Sequence, residues 1–219
     1  AKVKGIIKKE LEEIKKKFGD ERRTKVFAQK VGEIAEEDLV PQEETIITLT
    51  QGGFIKRVKP SLYKAQKRGG KGIMGLEVSQ EDMVSHFLVA NTLDKLLFFT
   101  DSGKVFQCLV WEIPEMSRIA KGRGLLNFLE ISSNEKVLSL IPYSKDEEKG
   151  KKYLVMATKR GIIKKTELGA FKNVRRNGLI ALRLGKGDAL KAAGITGEGG
   201  EIVLTTKKGK SIRFKEQDL

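Results

Sequence analysis

Four apolar runs in this chain end alike: a threonine, two residues, a glycine, then a restart on basic residues. They are ITLTQGGFIKRV from Ile47, LFFTDSGKVFQ from Leu97, LVMATKRGIIKK from Leu154 and IVLTTKKGKSIR from Ile202. The units open at Thr50, Thr100, Thr158 and Thr206, a period of about 48 to 58 residues. A strand-rich repeat of that length predicts an all-β, blade-by-blade architecture, each unit being one small sheet stacked on the next. Within a unit the glycine falls where a three-residue hairpin loop needs positive φ. The outgoing strand then alternates, with Phe54, Lys56 and Val58 on one side and Ile55, Arg57 and Lys59 on the other.

A second glycine-basic element follows each turn by roughly twenty residues, as a repeat requires. The instances are KRGGKG at Lys67 to Gly72, AKGRG at Ala120 to Gly124 and RRNG at Arg175 to Gly178, each leading into an apolar strand. Repetition brings the cations of both elements to equivalent places on successive blades. The first element supplies Lys56 and Arg57, Lys104, Lys164 and Lys165, and Arg213. The second supplies Lys67, Arg68 and Lys71, then Lys121 and Arg123, then Arg175 and Arg176. Any one of these reads as surface solvation; as a set that follows the repeat they predict a basic stripe along one rim.

Ahead of the repeats, residues 6–18 read as a helix, with Ile7, Leu11, Ile14 and Phe18 on one stripe and Gly19 ending it. The layout is a helical tail over 1–26, a connector over 27–44, and repeats over 45–219 starting near 46, 96, 153 and 202. Three repeats are complete and a fourth is partial.

Charge narrows the function classes. Of 219 residues, 43 are Lys or Arg against 29 Asp or Glu, a net charge of +14, which favours a polyanionic partner. No apolar run reaches the ~20 residues of a membrane span, and the charged start AKVKGIIKKELEEIKKK lacks a secretory pattern. A single cysteine, Cys108, allows no internal disulfide or cysteine-built zinc site and fits a reducing cytoplasm. No catalytic constellation stands out: His86, Cys108 and Trp111 sit in apolar runs and read as packed groups, and Tyr63, Tyr143 and Tyr153 have no nucleophile-like setting. The glycine-rich segments match no nucleotide-binding phosphate loop.

The sharpest local signal is Gln66, Lys67, Arg68, Gly69, Gly70, Lys71 and Gly72, where three cations share seven residues with three glycines. The glycines let backbone approach a phosphate chain, and such contact positions DNA without reading its sequence. This segment resembles the box motif of the bacterial gyrase A family, of pattern Gln-Arg-Arg-Gly-Gly-Arg-Gly, with Lys at 67 and 71. GDERRT at Gly19 to Thr24 resembles the stretch joining the breakage-reunion core of those proteins to their C-terminal domain, and the repeats resemble that domain's β-pinwheel blades.

The resemblance implies four-stranded blades, double-stranded DNA wrapped on a basic rim, and a DNA gyrase holoenzyme of two A and two B subunits. That holoenzyme introduces negative supercoils with ATP and Mg²⁺ used elsewhere, so the chain itself is expected to hold no cofactor, metal or catalytic centre. The family domain usually has six blades and its catalytic tyrosine lies upstream, so the chain reads as a fragment. Two other readings remain open: a C-terminal domain like that of topoisomerase IV, which has the blades without an intact box, and a propeller-like scaffold for protein partners.

Overall fold

A computed structural model of the chain describes residues 2–19, 36–63 and 82–219. They divide into two units, 1–36 and 37–219. The first unit is helix α1 (Lys2–Phe18), which begins one turn earlier than the periodicity predicts because Lys2, Val3 and Lys4 are compatible with a helix. Its stripe of Ile7, Leu11, Ile14 and Phe18 is 50–79% exposed. The box segment Gln66 to Gly72, residues 20–24 of the GDERRT stretch and the first half of the connector, 27–35, lie outside the described residues.

The second unit is a series of antiparallel sheets. Strands β1 (Glu44–Thr50), β2 (Phe54–Val58) and β3 (Val84–Asn91) start the first blade. Strands β4 (Lys95–Thr100) and β5 (Lys104–Leu109) form the second hairpin. After them come β6 (Arg123–Gly124), β7 (Val137–Tyr143), β8 (Lys152–Thr158), β9 (Ile163–Glu167), β10 (Leu179–Ile180), β11 (Leu190–Gly197), β12 (Glu201–Thr205) and β13 (Ser211–Lys215).

All four repeat turns have one construction. Gly53, Gly103, Gly161 and Gly209 have φ of 78°, 79°, 84° and 79°. Each donates its N–H to the carbonyl of the threonine three residues before it, at 3.0 Å. The threonine hydroxyl closes the loop by accepting the N–H of Phe54, Ile162 or Lys210 in three of the turns. Threonine recurs because its short hydroxyl reaches a backbone N–H that would otherwise be orphaned in the bulge.

Strand order explains how blades are joined. The sheets run β3-β1-β2-β6 and β10-β5-β4-β7, followed by β11-β8-β9 and β12-β13. The outer strand of the first blade, β6, comes from the second repeat, and that of the second blade, β10, comes from the third. Three sequence repeats therefore give two four-stranded blades among the described residues, rather than three. In the third blade, β9 occupies the place of β2 and β5 and carries no outer strand like β6 or β10 among the described residues.

Core composition follows from the stacking. Strand β4 reads KLLFFT because both its faces are covered. Leu96 and Phe98 enter one layer with Ile47, Leu49, Ile55, Phe106 and Leu125, while Leu97 and Phe99 enter another with Val105, Leu154, Met156 and Leu168. Each fully buried side chain of this size contributes roughly 1.5–3 kcal/mol, so the two layers weld three blades together. Strand β12 alternates instead, leaving Val203 60% exposed.

Among the single-residue expectations, Cys108 packs in the first layer, where burial and the nearby Glu112 push its thiol well above the ordinary range. His86 bridges blades, with Nε2 3.1 Å from the Leu138 carbonyl and Nδ1 3.0 Å from Ser85 Oγ.

Candidate nucleic-acid interface

The second glycine-basic element is the segment that crosses to the preceding blade. In the second repeat it lies against β2, with Ile55 opposite Arg123 and Phe54 opposite Gly124. A Cβ on Gly122 (φ +100°) would stand 2.9 Å from the Ile55 carbonyl oxygen. In the third repeat the same element lies against β5, with Val105 opposite Leu179, and a Cβ on Gly178 would stand 2.7 Å from the Phe106 ring. Glycine is needed at both places because the crossing backbone rests directly on the strand below.

Those crossings carry exposed cations. Lys121 and Arg123 are exposed on the edge of the first blade, their stems supported by rings: Lys121 Nζ is 4.2 Å from the Phe54 centroid and Arg123 Cζ 5.1 Å from that of Phe128. Arg175 and Arg176 are exposed just ahead of the matching crossing on the second blade, where Leu179 takes the register position of Arg123, and Arg176 Nη2 is 3.5 Å from Glu112 Oε1 across the surface. The chain beyond the first crossing reaches the second, since the N–H of Glu130 donates to the Arg176 carbonyl at 3.2 Å. Basic segments thus accompany the outer strands of successive blades.

The first-element cations divide differently. Lys164 and Arg213 are exposed, Lys164 Nζ donating to the Ala181 carbonyl at 2.9 Å and Arg213 lying 3.5 Å from Glu201. Arg57 turns inward to the next repeat, its Nε 2.7 Å from the Ile113 carbonyl and its Nη1 2.9 Å from Glu115. Lys165, at the equivalent position, holds both the carbonyl and the carboxylate of Glu216 at 2.9 Å. Lys104 pairs with the carboxylate of Glu135 at 2.7 Å. Lys56 departs furthest from expectation: at 1% exposure it is buried, so the rim placement read from strand alternation does not hold for it. Alternation gives the face of a strand but not which segment of the next repeat covers it.

Four cations were not singled out by the repeat pattern. Lys159 and Arg160 in the third turn, and Lys207 and Lys208 in the fourth, are exposed at the two central turn positions. Their signal was the Thr-x-x-Gly unit itself, whose middle positions change from Gln51-Gly52 and Asp101-Ser102 to paired cations.

Carboxylates brace the first and third turns. Asp82 Oδ1 accepts the Gly52 N–H at 2.8 Å, and Asp188 Oδ1 accepts that of Arg160 at 3.1 Å. Desolvation acts to raise the Asp82 carboxyl, but the N–H of Gly52, the Thr50 hydroxyl, the Met83 N–H and the charge of Lys121 together hold it below the ordinary range. Asp188 is lowered in the same way by Thr158, Ala189 and Arg160, against desolvation. Both remain ionised at neutral pH, which fixes the turns beside the cations.

Among the described residues, no group of three or more His, Cys, Asp or Glu side chains is placed to hold a metal ion, and no helix is long and apolar enough to cross a membrane.

Stacked antiparallel blades tied by exchanged outer strands, with cations recurring on the exchanged segments, define a β-propeller-type repeat domain with a basic surface. The family model described as "DNA gyrase C-terminal domain, beta-propeller" matches residues 44–91, 94–144, 152–196 and 200–219, and the chain belongs to that family. It is 41% identical to the DNA gyrase A protein of Clostridium acetobutylicum and 42% identical to that of Halalkalibacterium halodurans, in each case over 100% of this chain and 26% of the relative. The chain thus spans about a quarter of the length of these curated relatives. Among solved structures, it resembles a C-terminal domain of DNA topoisomerase IV (TM-score 0.66, 28% identity, 82% of this chain and 54% of the other). It also resembles a DNA gyrase A C-terminal domain (TM-score 0.64, 26% identity, 80% of this chain and 56% of the other). The fold is common to both enzymes, whereas the relatives of about 40% identity are gyrase A proteins.

Proposed function

We propose that this chain binds double-stranded DNA along the edges of its blades and bends it, as the wrapping domain of a gyrase A protein. The carrying observation is that exposed cations accompany both outer strands, Lys121 and Arg123 at β6 and Arg175 and Arg176 just ahead of β10, and that these strands pair at one register on neighbouring blades. Bending 20–30 bp by 40–90° costs about 1–6 kcal/mol, and a longer wrap costs several times more. Phosphate contacts distributed over several blades offset that cost where a single patch does not. The candidates on the described blades are Lys121, Arg123, Lys164, Arg175, Arg176 and Arg213, and the box residues Gln66 to Gly72 extend the set by the family resemblance.

In the whole protein, the domain presents a neighbouring stretch of the same duplex to the DNA gate with a fixed hand. Two gyrase A chains and two gyrase B chains, with ATP and Mg²⁺, drive strand passage in the cytoplasm. With residues 66–72 replaced by alanine in the full assembly, relaxed circles are expected to stay unsupercoiled in the presence of ATP. Negative supercoiling by that variant at the unaltered rate would overturn the assignment of the box.

A further inference from the structure

Lys56 has the setting of a fastener. It lies on β2 with 1% of its surface exposed, and its ammonium points into three main-chain carbonyls of the next repeat. The Nζ donates to Arg118 O at 2.5 Å, Ala120 O at 2.8 Å and Ser117 O at 3.4 Å. On one side of this loop the backbone of Arg57 is already bonded to Pro114 and Met116, and on the other Arg123 and Gly124 pair with Ile55 and Phe54. The stretch 117–122 between them lacks strand pairing to β2. Lys56 supplies that missing attachment, immediately before Lys121 and Arg123.

The same register position is used on the second blade. Phe106 is the third residue after its turn glycine, as Lys56 is, and its ring lies directly beneath Gly178 of the next basic segment. Both seats support the crossing backbone, one by hydrogen bonds and the other by packing. A buried ammonium carries a desolvation cost unless its hydrogen bonds are met, and here three carbonyls meet all three donors.

We propose that Lys56 is a positioning residue for DNA binding, holding the loop 117–120 so that Lys121 and Arg123 face the duplex, and that it makes no phosphate contact itself. Burial, with Arg118 close by, pulls the Lys56 ammonium down to about 8, so it is still charged at neutral pH and fills the carbonyl cage as a cation. This inference rests on the DNA-binding reading above.

A double-mutant cycle on duplex affinity, paired with amide hydrogen exchange, tests it. Lys56→Met keeps the length of the side chain and removes every donor. Two displaced phosphate contacts correspond to a loss of about tenfold or more at 0.1 M salt, from a salt slope near 0.9 per contact. That loss is expected in the otherwise unaltered chain and is expected to vanish in the Lys121→Ala/Arg123→Ala background. Exchange should quicken over residues 117–124 while β4 and β8 stay protected. Equal losses in both backgrounds, or no loss in either, would overturn the proposal. Should Lys56→Met unfold the domain, Lys56→Gln, which retains two donors, is expected to fold and show a smaller loss with the same background dependence; its absence also overturns the proposal. If the unaltered chain fails to bind duplex at low salt, the DNA reading fails, whereas unchanged exchange at 117–124 in a folded Lys56 variant fails the Lys56 proposal alone.

Discussion

Replacing Gly103 with alanine is expected to destabilise the domain by roughly 3–5 kcal/mol, whereas the same change at Gly161 costs only about 1–2 kcal/mol. The two glycines have nearly the same backbone conformation, φ 79° and 84°, so the penalty for placing a Cβ at positive φ is shared. Their surroundings differ. A Cβ on Gly103 would stand 2.4 Å from the Leu182 carbonyl oxygen and 3.3 Å from Leu184, while one on Gly161 meets nothing within 4 Å. The Gly103 carbonyl also accepts the N–H groups of Ala181 and Leu182, the bonds that seat the third repeat on the second blade. Alanine there has to open that junction or strain it. Urea unfolding of the two variants measures the difference, and equal destabilisation would mean that the junction yields freely and does not hold the blades together.

The second large effect concerns DNA. Neutralising Lys121, Arg123, Arg175 and Arg176 together is expected to lower the slope of log affinity against log salt by roughly four, and affinity at 0.1 M salt by about a thousandfold. Each of these side chains counts as one phosphate contact, since all four are exposed at the outer strands of their blades. Sequence preference should stay low in both proteins, because phosphate contacts do not read bases. Replacing Lys8, Lys9, Lys15 and Lys16 of α1 removes the same charge from a different unit. If those changes lower the slope as much, the effect is general attraction and not a track on the blades.

Much of this fold was legible in the sequence because its constraints are local. A glycine at positive φ three residues after a threonine marks each turn, and all four marks agree with the structure. The apolar run ahead of Thr100 was legible as a strand, and the structure adds that both its faces are covered. What escaped was non-local. Strands β6 and β10 are two residues long, too short for any periodicity, and each belongs to the sheet of the preceding repeat. That exchange is why three sequence repeats leave the third sheet with three strands. It is also why Lys56, Arg57 and Lys165 look like rim cations in the sequence yet face inward to the following repeat. A basic residue on an alternating strand reads as solvated, and only the segment laid across it from fifty or more residues downstream changes that. The cations beside the crossings are exposed, and the glycines next to them, read in the sequence as leaving room for phosphate, rest against the strand below.

Duplex DNA is expected to curve along these joined blades. Nicked circular DNA, saturated with the chain, ligated and then stripped of protein, records any curvature that writhes the duplex as a change in linking number. A topoisomer distribution displaced from the protein-free control, growing with occupancy and absent when Lys121, Arg123, Arg175 and Arg176 are neutralised, is the expected result. An unshifted distribution at full occupancy would show DNA held but not wrapped, and would contradict the account.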